Sequence, residues 1–324
     1  MHRIMTVALC IVASASALAE TSDDYPSRTV RIIVPFAPGG PTDTYARVLA
    51  DKLQARFGQP FVVENKPGAT GALATGFVAT APADGYTLLF ASNSSQVISP
   101  LIQTKRPFDP VKDFRPLSML LYYPMYLVVN NKVPATTVKE FVAFAKGHPG
   151  ELNFGSPGTG SGGHLACEML KSAAGISAVH VPYKGVGPEQ IGLMGGEIQF
   201  ICDSVGGSQA LIDDGKLRGL AVTGRDRLPR VPSIPTLKES GYDGFEDIAI
   251  WLGMLAPAAI PEAVARKLEA ELMRIARLPD VMKRVDESSS VLTGGTGREF
   301  SDFIARETPL WEVIIKKNGI SIDN

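Results

Sequence analysis

Two glycine-rich segments carry the residues best suited to hold a ligand. Val34-Pro-Phe-Ala-Pro-Gly-Gly-Pro-Thr-Asp43 joins an apolar run to a helix start, and Asn153-Phe-Gly-Ser-Pro-Gly-Thr-Gly-Ser-Gly-Gly-His164 repeats the arrangement. A helix N-terminus carries about half a positive charge and several unpaired N–H groups. Glycine lets a ligand approach that backbone, and Ser or Thr hydroxyls add donors, so each loop is an anion site that needs no Lys or Arg. Either loop alone is ordinary helix capping. Two of them facing each other would hold a small carboxylate from both sides. A third polar turn, Ala91-Ser-Asn-Ser-Ser95, follows another apolar run and belongs at the same sheet edge.

Other chemistry finds less support. Gly158-x-Gly160-x-x-Gly163 fits a dinucleotide fingerprint, but the region about 20 residues on reads Val181-Pro-Tyr-Lys184 and offers no acid for a ribose. No serine has glycine two residues away on both sides; Gly206-Gly-Ser-Gln-Ala210 comes nearest to a nucleophile elbow. His148, His164 and His180 lack zinc-ligand spacing. No metal and no cofactor is expected. His164 opens a helix after the second loop and suits a capping or site-edge role better than that of a general base. Asp203 ends the apolar run Ile198–Cys202; it either accepts hydrogen bonds from a ligand or caps the next short helix. Tyr183 and Lys184 follow the strand ending at Val181 and border the same cleft, with a solvated turn as the alternative for Lys184. Trp251 reads as core. Asp43 lies in the first turn of its helix, where the dipole favours a carboxylate with or without a ligand.

The elements that position these residues alternate. Strands are expected at 30–36, 61–63 and 86–90, with helices between them, the first capped by Thr42 and stopped at Gly58. This βαβαβ order implies a parallel sheet covered by helices. A proline-rich stretch from Pro100 to Pro124 interrupts it. The alternation then restarts with strands at 126–129, 152–154, 178–181, 198–202 and 219–223, and helices at 137–146, 164–173 and 189–194. A strand at 251–256 and helices at 261–277, 280–285 and 298–317 complete the chain. These last helices have apolar faces but no sheet of their own. They are expected to pack on the first unit, so that domain 1 comprises 20–123 plus 248–324, with domain 2 (124–247) inserted.

The chain of 324 residues carries 32 Lys+Arg and 33 Asp+Glu, a net charge of −1. Without a basic block it lacks the footprint for nucleic acid. Residues 1–19 have a basic start, an apolar run too short to span a bilayer, and Ala17-Leu-Ala19, the anatomy of a secretory signal peptide cleaved after Ala19. Removing Arg3 with it leaves 31 Lys+Arg against 33 Asp+Glu, a charge of −2. Cys167 and Cys202 remain, in neighbouring elements of one region, so a bridge in an oxidising compartment is geometrically conceivable; two unpaired, buried thiols are the expectation.

Tyr25-Pro-Ser-Arg-Thr-Val-Arg-Ile-Ile-Val-Pro-Phe-Ala-Pro-Gly-Gly-Pro-Thr-Asp43 resembles the start of the Bug family, the TctC-like receptors of tripartite tricarboxylate transporters. The similarity continues through Val62-Val-Glu-Asn-Lys-Pro-Gly-Ala69, Ala83-Asp-Gly-Tyr-Thr-Leu88 and Phe108-Asp-Pro-Val-Lys-Asp-Phe114. It extends through Leu152-Asn-Phe-Gly-Ser156, Val179-His-Val-Pro-Tyr-Lys-Gly185 and Leu255-Ala-Pro-Ala258, so it covers essentially the whole chain after the signal peptide. The resemblance implies a periplasmic α/β receptor with a two-domain Venus-flytrap fold. Each domain is a mainly parallel sheet flanked by helices, and a small carboxylate binds in the cleft between them. It also implies membrane transporter subunits as partners and a monomeric, non-enzymatic protein. A receptor feeding a signalling partner, and an exported hydrolase using Ser161 and His164, are the rival readings. The expected ligand set is Phe36, Pro38, Gly40, Pro41, Thr42 and Asp43 from the first loop and Ser92 and Asn93 from the polar turn. Ser156, Thr159, Gly160, Ser161 and His164 come from the second loop, and Tyr183 and Asp203 flank it. Two departures from the family pattern matter. Pro157 removes an amide donor, and Ser92-Asn93-Ser94 replaces the family's usual Thr-Asn-Gly.

Overall fold

The computed structural model describes residues 24–103, 108–246 and 248–320; the signal peptide and its cleavage point lie outside them. In the first unit, strands β1 (Val30–Val34), β2 (Phe61–Asn65) and β3 (Thr87–Ser92) are parallel in the order β2-β1-β3. Helices α1 (Pro41–Phe57) and α2 (Ala72–Ala79) connect them. A π-type turn, Ser94–Ile98, leads into the short α3 (Ser99–Ile102). The long strand β4 (Phe114–Asn130) follows. The second unit carries α4 (Val138–Gly147), β5 (Leu152–Ser156), α5 (Gly162–Ala174), β6 (Ala178–Pro182) and α6 (Val186–Gly195). It continues with β7 (Phe200–Ser204), α7 (Val205–Asp213) and β8 (Leu217–Val222). Strand β9 (Ala249–Pro257) returns to the first unit, with α8 (Glu262–Ala276), α9 (Pro279–Glu287), the two-residue β10 (Val291–Leu292) and α10 (Gly297–Lys317).

Each unit is therefore three parallel strands widened by antiparallel ones. Strand β9 pairs β3 and β4 in the first sheet, while β6-β5-β7 is parallel in the second. Strand β4 belongs to both sheets. It pairs with β9 over Phe114–Pro124, then with β7 from Met125 and with β8 from Tyr126. Its alternation is hard to read because its pairing with β9 shifts register between Pro116 and Ser118 and again between Met119 and Leu121. The residues at those shifts break the period-2 pattern, and proline is tolerated in strands at such irregularities. This corrects the expectation of an irregular stretch to Pro124 followed by a four-residue strand.

Three further corrections are local. Helix α1 has Gly40 as its N-cap and Pro41 in its first turn, so Thr42 lies inside the helix rather than capping it. Helix α5 begins within the second loop at Gly162, with Ser161 as its cap. Cys167 on α5 and Cys202 on β7 form a disulfide, their Cα atoms 5.6 Å apart, where unpaired thiols were expected. The cause is that α5 packs on β7, which sets the two Cα atoms within bridging reach. The bridge fastens the helix that carries the second loop to the sheet beneath it.

The C-terminal helices do pack on the first unit. Glu307 of α10 is buried, and its carboxylate accepts from the Trp251 and Trp311 indoles and from Asn93 Nδ2 (2.9 Å). Burial raises its pKa while these donors pull it back. All three neighbours donate, so a side chain that replaces one oxygen by NH₂ sets donor against donor. Glu307→Gln should cost about 3 kcal/mol of stability in urea unfolding; an unchanged midpoint would show that the network is dispensable.

Candidate functional site

Both glycine loops leave the carboxyl end of a parallel strand and enter a helix, which puts them at the edge where ligands bind in α/β sheets. In the first loop the carboxylate of Asp43 is a clamp. It accepts from Gly39 N (3.0 Å), Asn65 Nδ2 (2.9 Å) and both Arg47 nitrogens (3.1 and 2.9 Å). Asn65 also holds the Phe36 carbonyl. Burial opposes ionisation of Asp43, but these donors leave its pKa below the usual carboxylate value. Pro38 and Gly39 are exposed at the tip, and a side chain at Gly39 or Gly40 would meet nothing within 4 Å. That open space lies over the start of α1.

The second loop is locked from within. Gly158 N donates to Ser156 Oγ (3.2 Å), Gly160 N to His164 Nδ1 (3.1 Å), and His164 N to Ser161 Oγ (3.2 Å). Gly160 adopts φ +77°, a conformation that favours glycine. The His164 ring stacks on His180 at 3.9 Å between centroids, and His180 Nε2 bonds Ser156 Oγ at 2.7 Å. Accepting from an amide requires His164 Nδ1 to be unprotonated. Burial first, then the neighbouring His180 and Lys171 charges, lower its pKa to about 3; burial and Lys171 lower that of His180 to about 4.

The second loop meets the first unit through Thr70, which the sequence reading did not single out, and through Ser94 of the polar turn, which it placed at the same sheet edge. Thr70 Oγ1 donates to the Thr159 carbonyl (2.5 Å), and Gly162 N donates to Ser94 Oγ (3.1 Å). Gly71 is wedged against Pro35 and Ser95, so the 69–71 turn touches the first loop while Thr70 reaches the second. Ala69 and Thr70 both have left-handed φ values, 48° and 52°, in a junction that holds them there. A side chain at Gly160 would strike Ile102, and one at Gly162 would strike Ile250. The run Gly68-Ala-Thr-Gly71 was the available signal for Thr70, and the polar turn 91–95 for Ser94; Ile102 and Ile250 left none.

Among the described residues, no protein acceptor is found for the N–H groups of Gly40, Thr42, Asp43, Thr159 and Gly163. The Thr42 and Ser92 hydroxyls likewise make no protein hydrogen bond and are not sealed polar atoms. Ser161 accepts through its hydroxyl and keeps its own proton to give. Neither loop contains Lys or Arg, so an anion here is met by amides and hydroxyls.

Three expected ligand side chains are committed elsewhere. Asn93 gives its amide to Ala249 O and Glu307. The Tyr183 ring lies on Gly192, and its hydroxyl bonds Glu197 Oε2 (3.1 Å), near the N-terminal end of β7 and so at the far end of the sheet. Asp203 is buried, with Ser204 N, Ser208 Oγ and Gln190 Nε2 already on its oxygens; Ser204, not Asp203, caps α7. Burial raises the pKa of Asp203. Close by, Glu189 is fully buried with neither oxygen hydrogen-bonded, and burial and then Asp203 hold its pKa well above the ordinary value. Ser161 Oγ bonds the backbone of His164, not its imidazole, so that candidate nucleophile–base pair is not formed. The surface hollows of about 440 Å³ beside Asp51 and 310 Å³ beside Leu228 are lined by residues of neither loop.

The family model for the tripartite tricarboxylate transporter family receptor, TctC, matches residues 45–320. The chain is similar to BugT of Bordetella pertussis, with 33% identity over 99% of each chain. Among solved structures it resembles Rpa4515 of R. palustris with adipate (32% identity, TM-score 0.86, 92% of this chain and 99% of that one). It also resembles MatC of Rhodopseudomonas palustris with bound malate (31%, TM-score 0.84, 90% and 99%).

The histidine pair sets a pH dependence. Both folded pKa values lie below the unfolded value near 6.5, so below pH 6.5 the unfolded chain takes up protons that the folded chain refuses. Stability should therefore hold from pH 8 to 7 and fall from pH 6.5 toward 4. Urea titrations should show a shallower fall between pH 6.5 and 5 when His164 and His180 are both replaced by Asn. Equal slopes would assign the effect to other groups.

Proposed function

We propose that this chain, which belongs to the tripartite tricarboxylate transporter receptor family, is a periplasmic receptor that closes on a small organic carboxylate and presents it to membrane transporter subunits. The observation that carries the reading is the pair of helix N-termini with unfilled N–H groups, on two units that already touch through Thr70–Thr159 and Ser94–Gly162. A carboxylate placed there takes amide and hydroxyl donors from both units at once. Its contacts exist only when the cleft is shut, so binding favours closure. The ligand residues are Gly40, Thr42 and the Asp43 backbone, Ser92, Thr159 and Ser161, with Phe36, Pro38, Pro41, Ser156, Gly160 and His164 shaping the two loops. Adipate and malate in the similar R. palustris proteins support a carboxylate ligand.

The division into domains follows the pairing of β4. We assign residues 20–123 plus 248–324 to domain 1 and 124–247 to domain 2; the change of partners of β4 at Pro124/Met125 and the pairing of β9 from Ala249 support that division. The protein acts as a monomer after removal of residues 1–19.

Thermal unfolding of ligand-stripped protein against a panel of mono-, di-, hydroxy- and aromatic acids tests the reading. At least one acid should stabilise the protein, by about 2.7 kcal/mol at a hundredfold excess over its Kd, without being consumed. A flat response to the whole panel would refute it. Gly162→Val should weaken binding at least about tenfold, because its side chain meets Ile250 where the loop must seat. Undiminished affinity would show that the loop does not need this contact to close.

A further inference from the structure

One polar group in the cleft floor has no partner. Tyr123 lies on β4 just before its change of partners, directly opposite Ile250 of β9. Opposed residues of an antiparallel pair project to the same side. Ile250 packs against Gly162 at the start of α5, so Tyr123 projects on the side where the second loop sits. Its side chain is largely buried, at 8% exposure. Even so, its hydroxyl makes no hydrogen bond to any described residue, and its oxygen is not completely sealed from solvent.

The neighbours of Tyr123 do not fill that need. Asp203 is close enough to raise its pKa, after burial and together with Tyr45. The Asp203 oxygens are taken by Ser204, Ser208 and Gln190, and the Tyr45 hydroxyl is paired with Ser288 Oγ at 2.8 Å. The phenol therefore stays protonated as a neutral donor. A ring fixed by packing, with its O–H left over at the floor of a binding cleft, lacks only an acceptor.

We propose that Tyr123 is a specificity-determining residue that donates to an acceptor oxygen on the ligand, remote from the carboxylate held by the loops. The proposal rests on the reading of the cleft as a carboxylate site. A donor at the crossing strands rewards a second oxygen-bearing group and does nothing for an alkyl end, which would leave the phenol unsatisfied.

The test is calorimetric titration of the wild type and Tyr123→Phe with matched acids: succinate and butyrate, glutarate and pentanoate, adipate and hexanoate. The wild type should bind at least one diacid more tightly than its monoacid counterpart. Tyr123→Phe should lose about tenfold in affinity for that diacid and little for the monoacid, with its ligand-free melting temperature unchanged. Equal losses for both members of a pair would overturn the proposal, since the phenol would then act through packing or on the shared carboxylate. Retention of the diacid preference in Tyr123→Phe would also overturn it. If none of the six acids binds while another acid stabilises the protein, the proposal fails and the receptor reading stands. If no acid of any kind binds, the receptor reading itself fails.

Discussion

The structure depends on one strand serving two sheets. Strand β4 spends its first half beside β9 and its second half between β7 and β8, so the two sheets are built on a common backbone. Because β1, β3, β5 and β7 are registered directly or through neighbours to that strand, their carboxyl ends gather at one cleft. The register shifts in β4 fall within its pairing with β9, ahead of the change of partners at Pro124/Met125. The loops, the polar turn after β3 and Tyr123 all take their positions from this arrangement.

The proposed site offers a ligand backbone donors rather than charge. The available cations are used elsewhere: Arg47 straps Asp43 and the first loop, and no Lys or Arg lies in either loop. Amides can serve only if their loops are held still, and buried side chains do that holding. Asp43 gathers Gly39, Asn65 and Arg47; His164 fixes Gly160; Glu307 fixes Asn93 beside Ser92 and Ser94. Several of these are polar residues that sequence reasoning assigned to the ligand, and in the folded chain they hydrogen-bond the loops and the polar turn. The disulfide does the same at a larger scale, tying α5 to β7.

The alternation of strands and helices, the loops and their placement at strand ends could be read from periodicity, glycine and helix capping. Gly58 in the left-handed region and the Thr137–Glu140 capping box are local signals of the same kind. Strand β4 could not, because its prolines and register shifts remove the alternation by which a strand is recognised. The site divides along the same line. Thr42, Ser92, Thr159 and Ser161 follow from loop position, since a helix N-terminus exposes its donors whatever surrounds it.

Asn93, Tyr183 and Asp203 were assigned by the same loop logic, but side-chain direction depends on what packs nearby: Glu307, far along the chain, takes Asn93, while Glu197 takes Tyr183 and Ser208 and Gln190 take Asp203 from neighbouring elements. Thr70, Ile250 and Tyr123 are the converse, residues without a motif that the fold brings close to the second loop or to its neighbours. The sequence alone thus determined the family, the two loops and the reliance on backbone donors, because these are encoded by residues close together in the chain. Only the tertiary structure decided which of these polar side chains are taken up by protein partners and how the two units meet, because those contacts form between separate elements, some far apart in the chain, as Thr70–Thr159 and Asn93–Glu307 are.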